Sequence, residues 1–122
     1  DATIIPTVLG AAGAVIDLGR DVRLFTAAQI KRLWLRDRHC TYPGCDMPAQ
    51  WTDAHHLVHW ADGGPTDLSN GGLLCERHHT IVHQRRYAGT VVTGDAGDHL
   101  EWDLTVGSYD RLLAVQSARE PA

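Results

Sequence analysis

The segment from His39 to His83 constrains this chain more than any other. It holds seven of the eight histidines and all three cysteines of a 122-residue sequence. Cys40 and Cys45 form a C-x4-C pair, Cys75 and His78 form a C-x2-H pair, and 29 residues lie between the two pairs. Zinc takes four N or S ligands in a tetrahedron, and two short-spaced pairs are its usual signature. The expectation is a structural zinc held by Cys40, Cys45, Cys75 and His78, tying a preceding helix to a strand–helix unit. The competing reading is three buried thiols that pack as small hydrophobes.

Three cysteines cannot all pair, and these spacings read as metal ligation in a reducing compartment rather than a disulfide framework. A cytoplasmic location is therefore expected. No run of 18 apolar residues is present, and the start, DATIIPTVLG, lacks a basic region followed by a long apolar one. The chain opens on Asp1 rather than Met, as a fragment of something longer would. Its length suits one domain, 1–122, with a modest core of the kind that a metal commonly staples.

The net charge of −4 argues mildly against a nucleic-acid partner. Its distribution answers part of that objection. Residues from 95 onward carry −4 by themselves, so the rest is neutral overall, and residues 22–38 carry +4. Lys31, Arg32, Arg36 and Arg38, with Arg77, Arg85 and Arg86 in a second cluster, are the candidate DNA contacts. A solvated helix face explains the first group equally well.

Residues 3–25 read as two or three short strands around the turn-prone GAAG. A helix follows, with Thr26 and Gln29 matching a capping box and Ile30, Leu33 and Trp34 forming an apolar face. Tyr42-Pro43-Gly44 marks a tight turn between the cysteines. Residues 51–60 read as a strand, 61–70 as a loop, 71–75 as a second strand and 76–86 as a helix. RYAGTVVTG and HLEWDLTVG then flank Asp95-Ala96-Gly97-Asp98 as a hairpin. The last dozen residues are weakly patterned: Leu112 to Val115 can dock, and the end is expected to fray. Trp34, Trp51, Trp60 and Trp102 read as core residues rather than base-stacking platforms.

His79 and His83 stand four apart on the expected helix and project from one face, as two ligands of a single ion would. His78 lies about 100° around the same helix, free to serve the zinc. His55 and His56 are neighbours on a strand and point to opposite faces, so both can serve one site if the strand is twisted or bulged.

The strings D-A-H-H-x-V-H-W-A-D-G-G (53–64), Asn70 and L-L-C-x-x-H-H-x-x-x-H (73–83) resemble the HNH endonucleases of the ββα-metal, or His-Me finger, fold. With R-D-R-H-C-T-Y-P-G-C-D-M-P-A (36–49) ahead of them, they are closer still to the HNH domain that ends many bacterial proteins carrying a domain of unknown function 222. The resemblance covers about residues 36–86. It implies an α+β fold: a ββα-metal core at 39–86, N-terminal strands and a helix at 1–38, and a hairpin and tail at 87–122.

By position, the resemblance makes His55, His79 and His83 ligands of a catalytic divalent ion and His56 the general base. Asn70 holds the loop and orients the base, although the corresponding Asn binds metal in some relatives. His78 stands where the family more often has Cys. His59 stands where many relatives have Pro, and reads as a supporting or structural residue. Asp53 either orients His55 or adds a ligand. Gly63-Gly64 brings the loop close to a DNA backbone or simply makes a turn.

The implied activity is metal-dependent hydrolysis of DNA phosphodiesters, nicking or cutting both strands, with 5′ phosphate and 3′ hydroxyl products. A bound cation polarises the phosphate and stabilises the leaving oxygen, while a neutral imidazole deprotonates the attacking water. Mg2+, Mn2+, Co2+, Ni2+ and Zn2+ are all candidate ions, the imidazole donors favouring the softer ones. The alternative is a catalytically inactive, zinc-stabilised nucleic-acid-binding module; a toxin-type or RNA-directed nuclease is a further rival.

Overall fold

The computed structural model describes residues 8–9 and 15–119. Strands β1 (Val8–Leu9) and β2 (Val15–Asp17) form a short antiparallel pair. The remaining residues of the strands expected at the start, 1–7 and 10–14, lie outside the described residues. Residues 18–25 form turns rather than a third strand. Thr66 explains this: Leu18 N–H donates to its carbonyl at 3.1 Å and its own N–H donates to Gly19 at 2.7 Å.

Helix α1 spans Ala27–Asp37. The capping box forms as its sequence predicts: Gln29 N–H donates to Thr26 Oγ1 at 3.2 Å, and Thr26 N–H donates to Gln29 Oε1 at 2.9 Å. Arg38 ends the helix at φ 69°, its N–H reaching Trp34 O at 2.8 Å. The helix docks through Leu33, which packs with Phe25 and Ala49 against Leu73. Arg36 fastens its last turn, donating to Leu68 O at 2.9 Å and Gly71 O at 2.6 Å.

Strand β3 (Thr52–His56) pairs antiparallel with β4 (Gly71–Cys75), with His55 opposite Gly72 and His56 opposite Gly71. All five residues of β4 are buried. Its alternation splits the core in two: Leu73 faces α1, and Leu74 joins Cys40, Cys75, Val82 and Tyr87 on the other side. Each such leucine contributes roughly 1.5–3 kcal/mol by leaving water. Helix α2 (Glu76–Arg85) begins as β4 ends, so β3, β4 and α2 follow the order read from the sequence. Strands β5 (Ala88–Gly94) and β6 (Gly97–Asp103) form the expected hairpin, turning through Asp95 and Ala96 with Gly97 at φ 106°.

Two expectations need correction. Residues Ser108–Arg119 form a third helix, α3, anchored by the fully buried Tyr109. Ser108 Oγ donates to Asp103 O and accepts from Ala88 N–H, which fixes the start of α3 to the hairpin. The expected fraying at 120–122 lies outside the described residues. The tryptophans also divide. Trp34 is 39% exposed and Trp51 is 71% exposed. Helix α1 buries the Gln29–Leu33 edge, which leaves Trp34 at the rim, and Trp51 closes a turn whose buried member is Ala49.

Candidate metal centres and catalytic cleft

The four candidate zinc ligands come from separate places that the core brings together. Gly44, at φ 83°, closes the turn that lets Cys45 N–H donate to Tyr42 O at 3.0 Å, placing Cys45 beside Cys40. Cys75 ends β4, and His78 lies on the first turn of α2. All three cysteines are free thiols, and the ligand atoms of Cys40, Cys45, Cys75 and His78 lie within 4.8 Å of one another.

His78 Nδ1 is 3.3 Å from Cys75 Sγ and 3.7 Å from Cys40 Sγ. A zinc tetrahedron with ordinary bond lengths has S···N edges of roughly 3.6 Å, so this donor set fits zinc as it stands. Tyr42 stacks on His78 at 4.1 Å, holding the ring in plane. Burial pushes the Cys40 thiol up to about 12, so an ion must displace its proton on binding.

The second cluster sits on another face of α2, about 100° round from His78. His55 projects from β3 toward the helix, with ring centroids 5.0 Å from both His79 and His83. His79 and His83, one turn apart, bring their Nε2 atoms to 3.1 Å. Two imidazole donors on adjacent octahedral positions of one ion stand roughly 3.0 Å apart, so the pair also fits a metal. Asp53 Oδ2 lies 3.7 Å from His79 Nδ1, on His79 rather than on His55.

His59 completes the cluster in a way the sequence reading did not foresee. Among the described residues, His55, His59 and His83 have ligand atoms within 4.8 Å of one another. His56 alternates to the other face of β3, against Phe25 at 4.5 Å, with Nε2 3.0 Å from Thr66 Oγ1. The β3–β4 register runs unbroken, so no bulge is involved. The strand ends at His56, and both faces reach one open cleft of about 160 Å³ that His55, His56, His59, His79 and His83 line.

The electrostatics disfavour protonation of four of these rings, His55, His56, His59 and His83. Burial, then the neighbouring His79 and His83, holds His55 well below its ordinary value. Burial lowers His59 to about 4, with His83 adding to the effect and Asp62 opposing it. His83 is lowered by burial and by His79, and His56 by burial and by Arg20 and Arg23. A neutral imidazole is the form that binds metal or accepts a proton.

Asn70 is fully engaged with backbone. Its Oδ1 accepts from Val58 N–H at 2.8 Å, and its Nδ2 donates to Val58 O at 3.0 Å and Pro65 O at 2.9 Å. These bonds clamp the loop after β3, and they leave the amide directed at protein rather than at an ion. Gly64 belongs to the same clamp: a Cβ there would collide with Val58 O and the Asn70 amide. Its close approach is thus internal.

The candidate DNA contacts divide by partner. Arg36 is bonded to Asp37, Leu68 and Gly71, and Arg86 holds Asp110 through two nitrogens. Lys31, Arg38, Arg77 and Arg85 have exposed side chains, and Arg32 is half-buried. No described helix is long and apolar enough to cross a membrane.

Sequence reasoning missed Thr66 and Tyr109 as well as the place of His59. Tyr109 stacks on His59 at 4.0 Å from a helix that the sequence pattern does not announce. Only the fully buried position of Thr66 shows its role.

Residues 38–85 match the family model described as HNH endonuclease. The uncharacterized protein Rv1128c of Mycobacterium tuberculosis is 30% identical over 90 residues, covering 74% of this chain and 19% of its own length. The uncharacterized protein Mb1179c of Mycobacterium bovis is 36% identical over 62 residues, covering 51% of this chain and 14% of its own length. The chain thus spans less than a fifth of these relatives. No solved structure matches it.

Proposed function

We infer that this chain, whose residues 38–85 form an HNH endonuclease domain, is a metal-dependent nuclease that hydrolyses DNA phosphodiesters. One observation carries the reading: neighbouring histidines on opposite faces of β3 open into one cleft with the two histidines of α2. His55, His79 and His83 hold a divalent ion, for which the 3.1 Å pair on α2 is already spaced. When bound, the ion supplies positive charge to the scissile phosphate and the leaving oxygen.

The residues around it do the rest. His56, kept neutral by burial and by Arg20 and Arg23, takes the proton of the attacking water. Asn70 keeps the loop that carries His59 and Gly64 closed, and so acts as a positioning residue. Zinc at Cys40, Cys45, Cys75 and His78 fixes the start of α2, and with it the direction of His79 and His83. Lys31, Arg38, Arg77 and Arg85, whose side chains are exposed, would contact phosphates. The free thiols suit a reducing compartment such as the cytoplasm.

The test is supercoiled plasmid cleavage by zinc-replete protein, with Mg2+, Mn2+, Co2+, Ni2+ or Zn2+ added, beside His56→Ala. Nicking or linearisation that needs the ion and is lost in the variant is the expected result. Equal cleavage by the variant would remove His56 as the base. DNA binding with no cleavage under any ion would replace the nuclease with a binding module.

A further inference from the structure

His59 is the residue of the cleft that the three-histidine reading leaves over. Three observations bear on it. Its ligand atom lies within 4.8 Å of those of His55 and His83, and among the described residues these three form a group able to hold an ion, to which His79 joins through its 3.1 Å approach to His83. Its ring centroid is 4.7 Å from that of His83 and 5.3 Å from that of His55, and it lines the same cleft.

The ring is also held in place by its neighbours. It stacks on Tyr109 at 4.0 Å and 16°. The Tyr109 hydroxyl accepts from His59 N–H at 2.9 Å and donates to Asp62 Oδ2 at 2.6 Å. Asp62 Oδ2 in turn lies 3.7 Å from His59 Nδ1. A carboxylate behind an imidazole, with a second group fixing the ring plane, is the arrangement that orients histidine ligands around metals.

We propose that His59 is a direct ligand of the cleft's ion, which makes the centre a four-imidazole site of His55, His59, His79 and His83. Tyr109 and Asp62 are its positioning residues. The inference rests on the metal-centre reading above and deepens it. Four nitrogen donors and no carboxylate ligand favour Co2+, Ni2+ or Zn2+ over Mg2+, which prefers oxygen. Six-coordinate Co2+ or Ni2+ would keep two positions for phosphate oxygens.

The test needs no catalysis. Protein holding its structural zinc is titrated with Co2+, and the second equivalent is followed by visible absorption and calorimetry in the parent, His59→Ala and His59→Gln. Zinc content and near-ultraviolet circular dichroism report whether each variant is folded. The expected result is one cleft Co2+ in the parent, weakened at least about tenfold in both variants with a changed absorption band, since loss of an outlying partner alone costs roughly 10–100-fold.

A folded variant with parental affinity and spectrum would overturn the assignment of His59 and leave the His55–His79–His83 centre standing. No second Co2+ in the parent would overturn both. If Ala fails to fold, Gln alone decides, because it keeps the bulk against Tyr109 without the imidazole donor.

Discussion

Thr66 Oγ1 lies 3.0 Å from His56 Nε2 and donates its own proton to the Arg23 carbonyl, 3.1 Å away. A hydroxyl donates only once, so the oxygen must accept from His56, and the imidazole carries its proton on Nε2. Nδ1 is then the basic nitrogen. Thr66→Val keeps the shape and removes the acceptor. We expect cleavage to fall about tenfold to a hundredfold, the size of effect seen when a partner behind a functional histidine is lost. Thr66→Ser should retain most of the rate. Co2+ affinity should not change in either variant, and an unaltered rate in Thr66→Val would remove this tautomer from the mechanism.

Zinc removal should cost the fold, not only the centre. Cys40, Cys75, Leu74, Val82 and Tyr87 form one buried cluster, so two of the four candidate ligands are also core residues. Cys75→Ser, or prolonged chelation of the parent, is expected to abolish stoichiometric zinc and cooperative thermal unfolding together. A zinc-free protein with the parental melting curve would show that the thiols pack well enough alone.

Acid should destabilise the metal-free cleft. In the unfolded chain a histidine titrates near 6.5, whereas His59 in the fold is held at about 4. Between those values the unfolded state binds the proton that the folded state refuses, so stability falls as pH drops from about 6.5 toward 4. The contribution of His59 is bounded by something on the order of 3 kcal/mol. With no cleft ion added, His59→Phe should lose less melting temperature than the parent over that interval. Parallel curves would mean that His59 is protonated in the folded chain.

Asn70→Ala removes three hydrogen bonds at once and opens the loop between β3 and β4. At roughly 0.5–1.5 kcal/mol each, the loss is about 2–4 kcal/mol. Denaturant unfolding measures it directly. Because His59 rides on that loop, Co2+ affinity should fall with stability. Asn70→Asp, which keeps the acceptor for Val58 N–H, should sit between the two. A stable Asn70→Ala with normal affinity would assign the clamp elsewhere.

The arginines separate structure from binding. Arg36→Ala strips the bonds to Leu68 and Gly71 that fasten α1 to β4, so it should lower the melting temperature and leave the salt dependence of DNA binding alone. Arg77→Ala and Arg85→Ala should do the reverse, each reducing the slope of log K against log salt by about one unit. Equal slopes in all three would place the phosphate path on another face.

What the sequence made legible was local. The capping box at Thr26 and Gln29, the turn at Gly44, and the spacing of His79 and His83 each act within a turn or two of chain. The strand boundaries at Gly71 and Cys75 could be read because loop chemistry ends at Asn70 and helical chemistry begins at Glu76. Helix α3 was not legible because Tyr109, the side chain that anchors it, faces residues 47 and 50 positions away. The exposure of Trp51 and the position of His59 depend on how distant segments close, and no short-range pattern records that.

The brace on His59 comes from Tyr109, and Thr66 is held by Leu18, Gly19 and Gln29, all beyond the 38–85 stretch. The motif is therefore not a portable cassette. A graft cut at its borders would carry every histidine of the cleft and the four candidate zinc ligands, yet leave behind the parts that hold Thr66 behind His56 and brace His59. Transplanting the centre into another scaffold would call for both flanks, from about β2 to the first turn of α3, or for substitutes that hold Thr66 in place behind His56 and put an aromatic plate under His59.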